Sequence, residues 1–269
     1  KADTVQGIKA YPDILSIGEP PALVIIIVPA KFVPDIMDQC ARAGCHSAVI
    51  ITAGFKETGN EGKRLEEKVV NIARRHNIRF IGPNCLGIIA PGNKINASFG
   101  GDLPVNGSIG YISQSGALLA SILDMANDSR IGFSKLISIG NKADINELDL
   151  ITALGDDDDT RVVAGYLESI DDGNAFVRQA EKISHDKPIL LIKSGGTAAG
   201  AQAASSHTGS LAGGETAYEC VFERAGIVRC SSIKEQFDYA QAFAYQPLPK
   251  DKRVAVITNA GGPGIMAAD

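Results

Sequence analysis

Short apolar runs alternate with amphipathic helical patterns along nearly the whole 269-residue chain. Several of the runs are apolar throughout, which is typical of parallel strands buried on both faces of a sheet. Strands and helices that alternate at this spacing predict an α/β fold with a doubly wound, parallel sheet. The predicted strands are 23–28, 48–52, 79–82, 109–113, 136–139, 162–168, 189–193 and 254–258, and the main predicted helices are 33–43, 61–76, 117–127, 175–184 and 216–225.

Two stretches rich in turn-forming residues, 92–107 and 246–251, interrupt this alternation. They predict one domain over residues 1–102, a second over 103–249 and the start of a third over 250–269. The chain begins with Lys1 instead of a methionine, and its last strand–turn–helix pattern is short. We therefore expect a fragment of a longer polypeptide.

Composition argues against several classes of partner. The net charge is −5 with a pI near 5.5 and no basic stripe, which argues against nucleic acid. The longest apolar run, 22–30, is too short to span a membrane, and no signal peptide opens the chain. The five cysteines form no CxxC pair, which favours a reducing cytoplasm over disulfides or zinc. The acidic run 156–159 is interpreted as a solvated loop and not as a metal site.

Residues 193–214 form a tract of small residues that contains a single histidine, His207. Such a tract buries little apolar surface and predicts a loop. Two readings stay open: an imidazole that travels between two places, or an incidental histidine on a surface loop. The other three histidines, His46, His76 and His185, are interpreted as structural or solvated.

The turn Ser113, Gln114, Ser115, Gly116 joins an apolar run to a predicted helix. The N-terminus of a helix carries unpaired N–H groups and a partial positive charge, so this turn is a candidate phosphate site. The alternative is that Ser115 only caps the helix.

Polar groups also follow two other predicted strands. Glu168 closes one of them, where it could orient an imidazole through a hydrogen bond or could be an exposed strand-end carboxylate. Asn84 and Cys85 follow another, after a glycine and a proline that let backbone approach a ligand. Cys85 is either a nucleophile or a structural, pocket-lining thiol.

Eight segments of the chain together resemble the nucleoside-diphosphate-forming acyl-CoA synthetases, the family of ADP-forming acetyl-CoA synthetase and, more distantly, succinyl-CoA synthetase. They occur in the order in which that family has them and extend over nearly the whole chain. The segments are 28–35, 49–57, 81–88, 110–117, 138–144, 165–170, 205–213 and 257–262.

The resemblance implies a Rossmann-like CoA-binding domain, truncated before its opening strand and glycine-rich turn, followed by a flavodoxin-like domain. The residues implied for CoA are Pro29, Ala30, Lys31, Ala53, Gly54, Asn84 and Cys85. Gly140 and Asn141 are assigned to the acyl pocket.

The same resemblance implies an acid–thiol ligase in which His207 is phosphorylated and Glu168 orients it. Acyl-CoA, ADP and phosphate would be interconverted with a small carboxylic acid, CoA and ATP, through an acyl phosphate. ATP or ADP and Mg²⁺ would bind in an ATP-grasp domain or subunit outside this chain, and the enzyme is expected to be oligomeric.

Two other functions stay open on the sequence alone. The first is a catalytically silent, CoA-sensing regulatory domain of a protein acetyltransferase, although the presence of His207 and Glu168 argues for catalysis. The second is a dinucleotide- or flavin-dependent oxidoreductase, although the chain contains no GxGxxG fingerprint.

Overall fold

The structure, a computed structural model, describes residues 3–195, 215–249, 251 and 253–269. His207 lies outside these ranges. Within them the chain forms a small antiparallel hairpin, a three-stranded parallel sheet, and a seven-stranded sheet in which one strand runs against the others. The predicted α/β class with a largely parallel sheet is confirmed.

The two larger sheets are built from consecutive parts of the chain: the earlier strands form the three-stranded sheet and the later strands form the seven-stranded sheet. The three-stranded sheet has the order β3-β4-β5, and the seven-stranded sheet has the order β12-β11-β10-β8-β9-β6-β7. The strands are β1 (Thr4–Val5), β2 (Ile8–Lys9), β3 (Val24–Ile26), β4 (Ser47–Ile50), β5 (Arg79–Ile81), β6 (Gly87–Ala90), β7 (Ile95–Ser98), β8 (Asn106–Ser113), β9 (Phe133–Ser138), β10 (Val162–Leu167), β11 (Ile189–Lys193) and β12 (Ile227–Arg229).

The predicted helices are found with shifts of one or two residues at their ends. Two further helices, Glu147–Asp156 and Ile233–Tyr245, lie outside the predicted ranges. The helices are α1 (Val33–Ala43), α2 (Asn60–Arg75), α3 (Gly116–Ser129), α4 (Glu147–Asp156), α5 (Gly173–Ser184), α6 (Glu215–Arg224), α7 (Ile233–Tyr245) and α8 (Gly261–Ala268).

Helices cover both faces of the seven-stranded sheet, as the uniformly apolar strands predicted. Ile112 and Val163 belong to one buried cluster, which includes residues of α4, α5 and α6. Their neighbours Tyr111 and Ala164 belong to the other, which includes residues of α3 and α7. Successive side chains of a strand point to opposite faces, so both faces need apolar residues. This packing fixes the carboxyl ends of β8, β10 and β11 side by side.

The hairpin of β6 and β7 extends the seven-stranded sheet, although both strands precede the predicted domain boundary after residue 102. Ile88 pairs with Ile137 of β9, and Ile89 pairs with Leu136, both antiparallel. By strand pairing, the chain therefore enters the second sheet at Gly87. The domain limits at residues 102 and 249 stay predictions.

The strand predicted over 254–258 is wrong, because the structure assigns no strand to these residues. Val254 is 86% exposed and Ile257 is 97% exposed. A strand needs a neighbour to receive its backbone hydrogen bonds, and none of the described strands pairs with this segment. An apolar run alone did not distinguish a paired strand from an unpaired extended segment.

Candidate functional site

Three turns meet at the carboxyl ends of β3, β4 and β5. Thr52, which the sequence analysis did not single out, joins them: its hydroxyl donates to the Val28 carbonyl at 2.8 Å, and its carbonyl accepts from the Asn84 N–H at 2.9 Å. Gly54 has a φ of 107°, and a Cβ there would lie 3.1 Å from the Cβ of Ala30. The turns carry the residues predicted for CoA, which are Pro29, Ala30, Lys31, Ala53, Gly54, Asn84 and Cys85.

A cavity of about 400 Å³ lies between these turns and the start of α3. It brings together residues predicted for CoA (Ala53, Asn84, Cys85) and residues predicted for phosphate (Gln114, Ser115, Gly116). The remaining lining residues are Ile51, Leu86, Phe99, Ala117 and Ala120. Parts of the two predicted sites thus line the same cavity. Five of the residues predicted for these two sites do not line it, namely Pro29, Ala30, Lys31, Gly54 and Ser113.

The Cys85 thiol is held inside the protein. The side chain is buried and its Sγ donates to the Ile50 carbonyl at 3.3 Å. Burial raises the pKa of this thiol to about 12, so the reactive thiolate is disfavoured near neutral pH. The geometry supports the structural, pocket-lining alternative over a nucleophile.

Both hydroxyls of the turn before α3 already have partners within it. The buried Ser113 hydroxyl donates to the Ser115 carbonyl at 2.6 Å, and Ser115 Oγ accepts from the Leu118 N–H at 3.2 Å. Ser115 is therefore the N-cap of α3, as the alternative reading held. The first N–H groups of a helix have no partner within the helix, so those of Gly116 and Ala117 are the donors available to an anion in the cavity.

The Gln114 side chain fixes the backbone around Glu168. Its Oε1 accepts from the N–H groups of Glu168 at 2.8 Å and Ser169 at 3.1 Å, and its Nε2 donates to the Ser169 hydroxyl at 3.3 Å. Gln114 thus bridges the ends of the adjacent strands β8 and β10. Its role with phosphate stays a prediction, and its amide already binds the backbone of Glu168.

Glu168 lies at the carboxyl end of β10 and is only 7% exposed, so it is not an exposed strand-end carboxylate. Lys193, at the end of the neighbouring strand β11, donates to the Glu168 carbonyl at 2.8 Å. Burial raises the pKa of Tyr166, and the charge of Glu168 and a hydrogen bond to it raise it further, against a lowering contribution from Ser194. His207, the predicted partner of Glu168, lies outside the described residues.

Gly140 and Asn141 lie against the turn after β5, where a polar cluster joins the two sheets. The Asn141 amide donates to Glu57 at 2.6 Å and to Glu66 at 2.8 Å, and its oxygen accepts from Asn84 at 3.3 Å. Neither residue lines the 400 Å³ cavity. Their assignment to the acyl pocket stays a prediction, and the contacts identify Asn141 as a link between the sheets.

Replacing Gly140 by alanine is expected to lower the free energy of unfolding by about 2–4 kcal/mol. Gly140 has a φ of 55°, and a Cβ there would lie 2.3 Å from the Pro83 carbonyl oxygen. Urea denaturation would measure the loss. Gly173 is the matched control, because a Cβ there meets nothing within 4 Å; an equal loss in G173A and G140A would contradict the close approach.

Glu57 is expected to make the protein sensitive to acid. Burial alone would raise its pKa, but hydrogen bonds from Asn141 and from the N–H groups of Gly54 and Phe55 lower it below the ordinary 4.5. A carboxyl whose pKa is lowered by folding contributes stability that is present above its unfolded pKa and is lost as the pH falls through its folded pKa.

In a series of melting curves, E57Q should therefore show a shallower decline of Tm below pH 4.5 than the wild type. The variant should also lose about 1–3 kcal/mol at neutral pH, because it weakens the charge-assisted hydrogen bonds to the β4 turn. Replacing the exposed Glu67 of α2 by glutamine is the control. An unchanged acid response in E57Q would contradict the assignment.

The acidic side chains and the helices bear on metal binding and on membrane insertion. Within the ranges given above, no group of three or more histidine, cysteine or acidic side chains is arranged to hold a metal ion. The acidic run 156–159 is partly engaged by Lys135, whose Nζ lies 2.8 Å from Asp157. None of the helices in the described part of the chain has the length and apolar character to cross a membrane.

The structure thus contains two α/β sheets, and the turns at the strand ends of both line one cavity. Known families match both of these parts of the chain. The family described as a CoA binding domain matches residues 1–91, and the family described as a succinyl-CoA ligase like flavodoxin domain matches residues 106–243.

Similar proteins extend these matches over the whole chain. The ADP-forming acetate–CoA ligase of Methanocaldococcus jannaschii is 47% identical over 269 residues, which are 100% of this chain and 38% of the relative. The alpha subunit of ADP-forming acetate–CoA ligase II of Pyrococcus furiosus is 45% identical over 269 residues, which are 100% of this chain and 58% of that subunit.

A solved structure agrees in fold as well as in sequence. Acetyl-coenzyme A synthetase 1 of Ca. Korarchaeum cryptofilum, described as dinucleotide-forming and in complex with phosphate and ADP, is 38% identical, with a TM-score of 0.94 over 99% of this chain and 57% of that chain. The chain belongs to the nucleoside-diphosphate-forming acyl-CoA synthetase family. Membership of this family argues against the dinucleotide- or flavin-dependent oxidoreductase. The chain spans 38% to 58% of the length of these relatives.

Proposed function

We propose that this chain supplies the CoA and phosphate half of an acid–thiol ligase that interconverts acyl-CoA, ADP and phosphate with a carboxylic acid, CoA and ATP. The observation that carries the proposal is the shared cavity of about 400 Å³. A thioester held by the turns after β4 and β5 and a phosphate held by the start of α3 can meet there. Family membership supports the same reaction.

The cycle has three balanced steps. A phosphate oxygen attacks the thioester carbonyl carbon, the C–S bond breaks, and CoA leaves as a thiolate that is then protonated. A nitrogen of His207 attacks the phosphorus of the acyl phosphate, and the bond between phosphorus and the acyl oxygen breaks, which releases the carboxylate. The β-phosphate of ADP then attacks the phosphohistidine, the P–N bond breaks, and ATP forms.

The residues of this chain act by positioning and by charge. The N–H groups of Gly116 and Ala117 stabilise the negative charge on phosphate, as donors at a helix N-terminus do. The exposed Lys31 offers a positive charge near the start of α1 for the phosphates of CoA. Glu168 accepts an N–H from the His207 ring and favours the tautomer whose other nitrogen attacks.

The remaining parts of the reaction belong to partners of this chain. ATP or ADP and Mg²⁺ bind in an ATP-grasp portion, fused or separate, within an oligomeric enzyme. We place the protein in the cytoplasm, where its five free thiols stay reduced. Gly140 and Asn141 help to shape the acyl pocket from behind the turn after β5.

Steady-state assays of the complete enzyme with CoA, ATP, Mg²⁺ and a panel of carboxylic acids test the proposal. Acetate comes first, because relatives carry that substrate in their names, and 4-hydroxybutyrate follows, because a 38% identical relative from Nitrosopumilus maritimus is named for it. Turnover with at least one acid is the expected result. Binding of CoA without turnover on any acid would favour the silent regulatory domain instead.

A further inference from the structure

Lys142 places its ammonium group in the protein interior, beside the turn that follows β10. The proposed reaction does not use this group. This side chain is 4% exposed, and its partner Glu147 is 1% exposed. The Lys142 Nζ lies 2.9 Å from Glu147 Oε2, 2.8 Å from Asp171 Oδ1, 3.2 Å from the Ser169 carbonyl and 3.0 Å from the Ser169 hydroxyl. An ammonium group has three N–H donors, so these four acceptors satisfy it fully.

Three successive hydrogen bonds connect this lysine to Glu168 through Ser169 and Gln114. The Ser169 hydroxyl that Lys142 binds also accepts from Gln114 Nε2 at 3.3 Å. The other end of the Gln114 amide, Oε1, accepts the N–H groups of Glu168 and Ser169. The position of Glu168 therefore depends on Gln114, and the orientation of Gln114 depends on the hydroxyl that Lys142 holds.

The ion pair of Lys142 and Glu147 also holds the other end of the turn formed by residues 168–171. Glu147 Oε1 accepts the Asp171 N–H at 2.6 Å, while its Oε2 binds Lys142. The turn from Glu168 to Asp171 is thus fixed through both of its ends by the Lys142–Glu147 pair. A buried pair of this kind adds little net stability compared with apolar residues. Here its hydrogen bonds to Ser169 and Asp171 connect it to the geometry of the turn.

The backbone conformation of Lys142 also indicates that surrounding contacts hold this residue in position. Lys142 has a φ of 54°, in the left-handed region that side chains other than glycine rarely adopt. Such a conformation persists when the surrounding contacts over-determine it. Here the loop after β9 adopts it while placing the ammonium group beneath Ser169.

We propose that Lys142 is a positioning residue that sets the place of Glu168 through Ser169 and Gln114. This inference rests on the proposed function, in which the Glu168 carboxylate orients His207. A displacement of a reacting group by about 1 Å costs up to about 100-fold in rate. The role predicted for Lys142 therefore affects the rate of phosphohistidine formation more than the binding of CoA.

The test compares K142M with K135M in the complete enzyme. Lys135 forms a partly buried ion pair with Asp157, and neither residue contacts Glu168, so K135M controls for the loss of an ion pair. Hydrogen exchange of peptides spanning 166–171 reports directly on the bonds to Gln114. We expect exchange at Glu168 and Ser169 to be about 10-fold faster or more in K142M and unchanged in K135M.

The kinetic readout is the rate at which the enzyme takes acid-labile phosphate from labelled ATP. K142M should lower this rate about 10- to 100-fold and change the KM for CoA less than about 3-fold. If K142M does not fold, S169A replaces it, because it removes only the hydroxyl that links Lys142 to Gln114. S169A should show the same pattern more weakly.

The outcomes separate this inference from the proposed function. A wild-type enzyme that takes no acid-labile label would contradict the proposed function, and the exchange data would then decide on Lys142 alone. Slower labelling and faster exchange in K142M support the inference. A lower Tm with unchanged exchange at Glu168 and unchanged labelling would overturn it, because Lys142 would then only stabilise the fold.

Discussion

Replacing His207 by alanine is expected to abolish turnover of the complete enzyme, a loss of at least about 10³-fold, while CoA binding survives. In the proposed cycle the imidazole is the only group that carries phosphate from the acyl phosphate to ADP. The variant should also take no acid-labile label from ATP. Incorporation of labelled phosphate, steady-state turnover and titration with CoA would measure the loss of label, the loss of turnover and the retained CoA binding.

CoA binding should survive because all the residues predicted for it belong to segments of the chain before residue 86. The turns after β3, β4 and β5 are joined by the hydrogen bonds of Thr52 to Val28 and Asn84. His185 provides the control, because its side chain is 87% exposed and its ring lies beside Asp186. H185A should retain label, turnover and CoA affinity.

Two results would contradict this assignment of His207. Turnover that persists in H207A would exclude the phosphate-carrier role. Loss of CoA binding together with turnover would indicate that the residue is structural. A wild-type enzyme that binds CoA but takes no label would favour the silent regulatory domain.

The fold was predictable where one local pattern decides the structure. The run over β10 is apolar throughout because Val163 and Ala164 face opposite clusters, so the sequence itself signals a strand buried on both faces. The helices that follow such strands begin at caps that are also visible in sequence, such as Ser115 before α3. These signals lie within a few residues of the feature they predict.

The remaining features depend on partners that are distant along the chain. The hairpin of β6 and β7 joins the second sheet only because Ile88 finds Ile137. The segment 254–258 has the same apolar character but no described strand beside it, so it does not form a strand. Whether an apolar run becomes a strand thus depends on long-range pairing, which local sequence does not contain.

The candidate site shows the same division. The turns that carry Asn84, Ser115 and Glu168 were recognisable because each follows an apolar run at a strand end, where parallel sheets place ligands. The contacts that orient them were not, because Gln114 reaches 54 residues along the chain to the Glu168 N–H, and Lys142 reaches 27 residues to Ser169. A glutamine in a turn predicted to bind phosphate gave no signal that its amide contacts the backbone of Glu168 and Ser169.

Replacing Glu168 by glutamine is expected to slow formation of the phosphohistidine about 10²- to 10⁴-fold. The amide has nearly the shape of the carboxylate, and the backbone bonds of residue 168 to Gln114 and Lys193 remain possible. What the variant lacks is the negative charge that, in the proposed cycle, favours the reactive tautomer of His207 and stabilises the ring when it becomes cationic. Rapid-quench labelling with ATP measures the rate.

A second measurement shows that the charge, and not the fold, has changed. The charge of Glu168 and a hydrogen bond to it contribute to the raised pKa of Tyr166, after the larger effect of burial. In E168Q the pKa of Tyr166 should fall part of the way toward its ordinary value, as followed by the absorbance of the phenolate. The Tm should change by less than about 4 °C, because no packed volume is lost.

Glu181 is the matched control for this substitution, because it is an acid of the same domain that pairs with Arg224 at 3.0 Å on the helices α5 and α6. E181Q removes one negative charge without touching the crevice, so it should label at the wild-type rate. Equal labelling rates in E168Q and the wild type would mean that the carboxylate does not act on the histidine. A lower Tm together with a loss of CoA binding in E168Q would instead mean that Glu168 stabilises the fold. A role in positioning His207 requires slow labelling in a variant that still folds and still binds CoA.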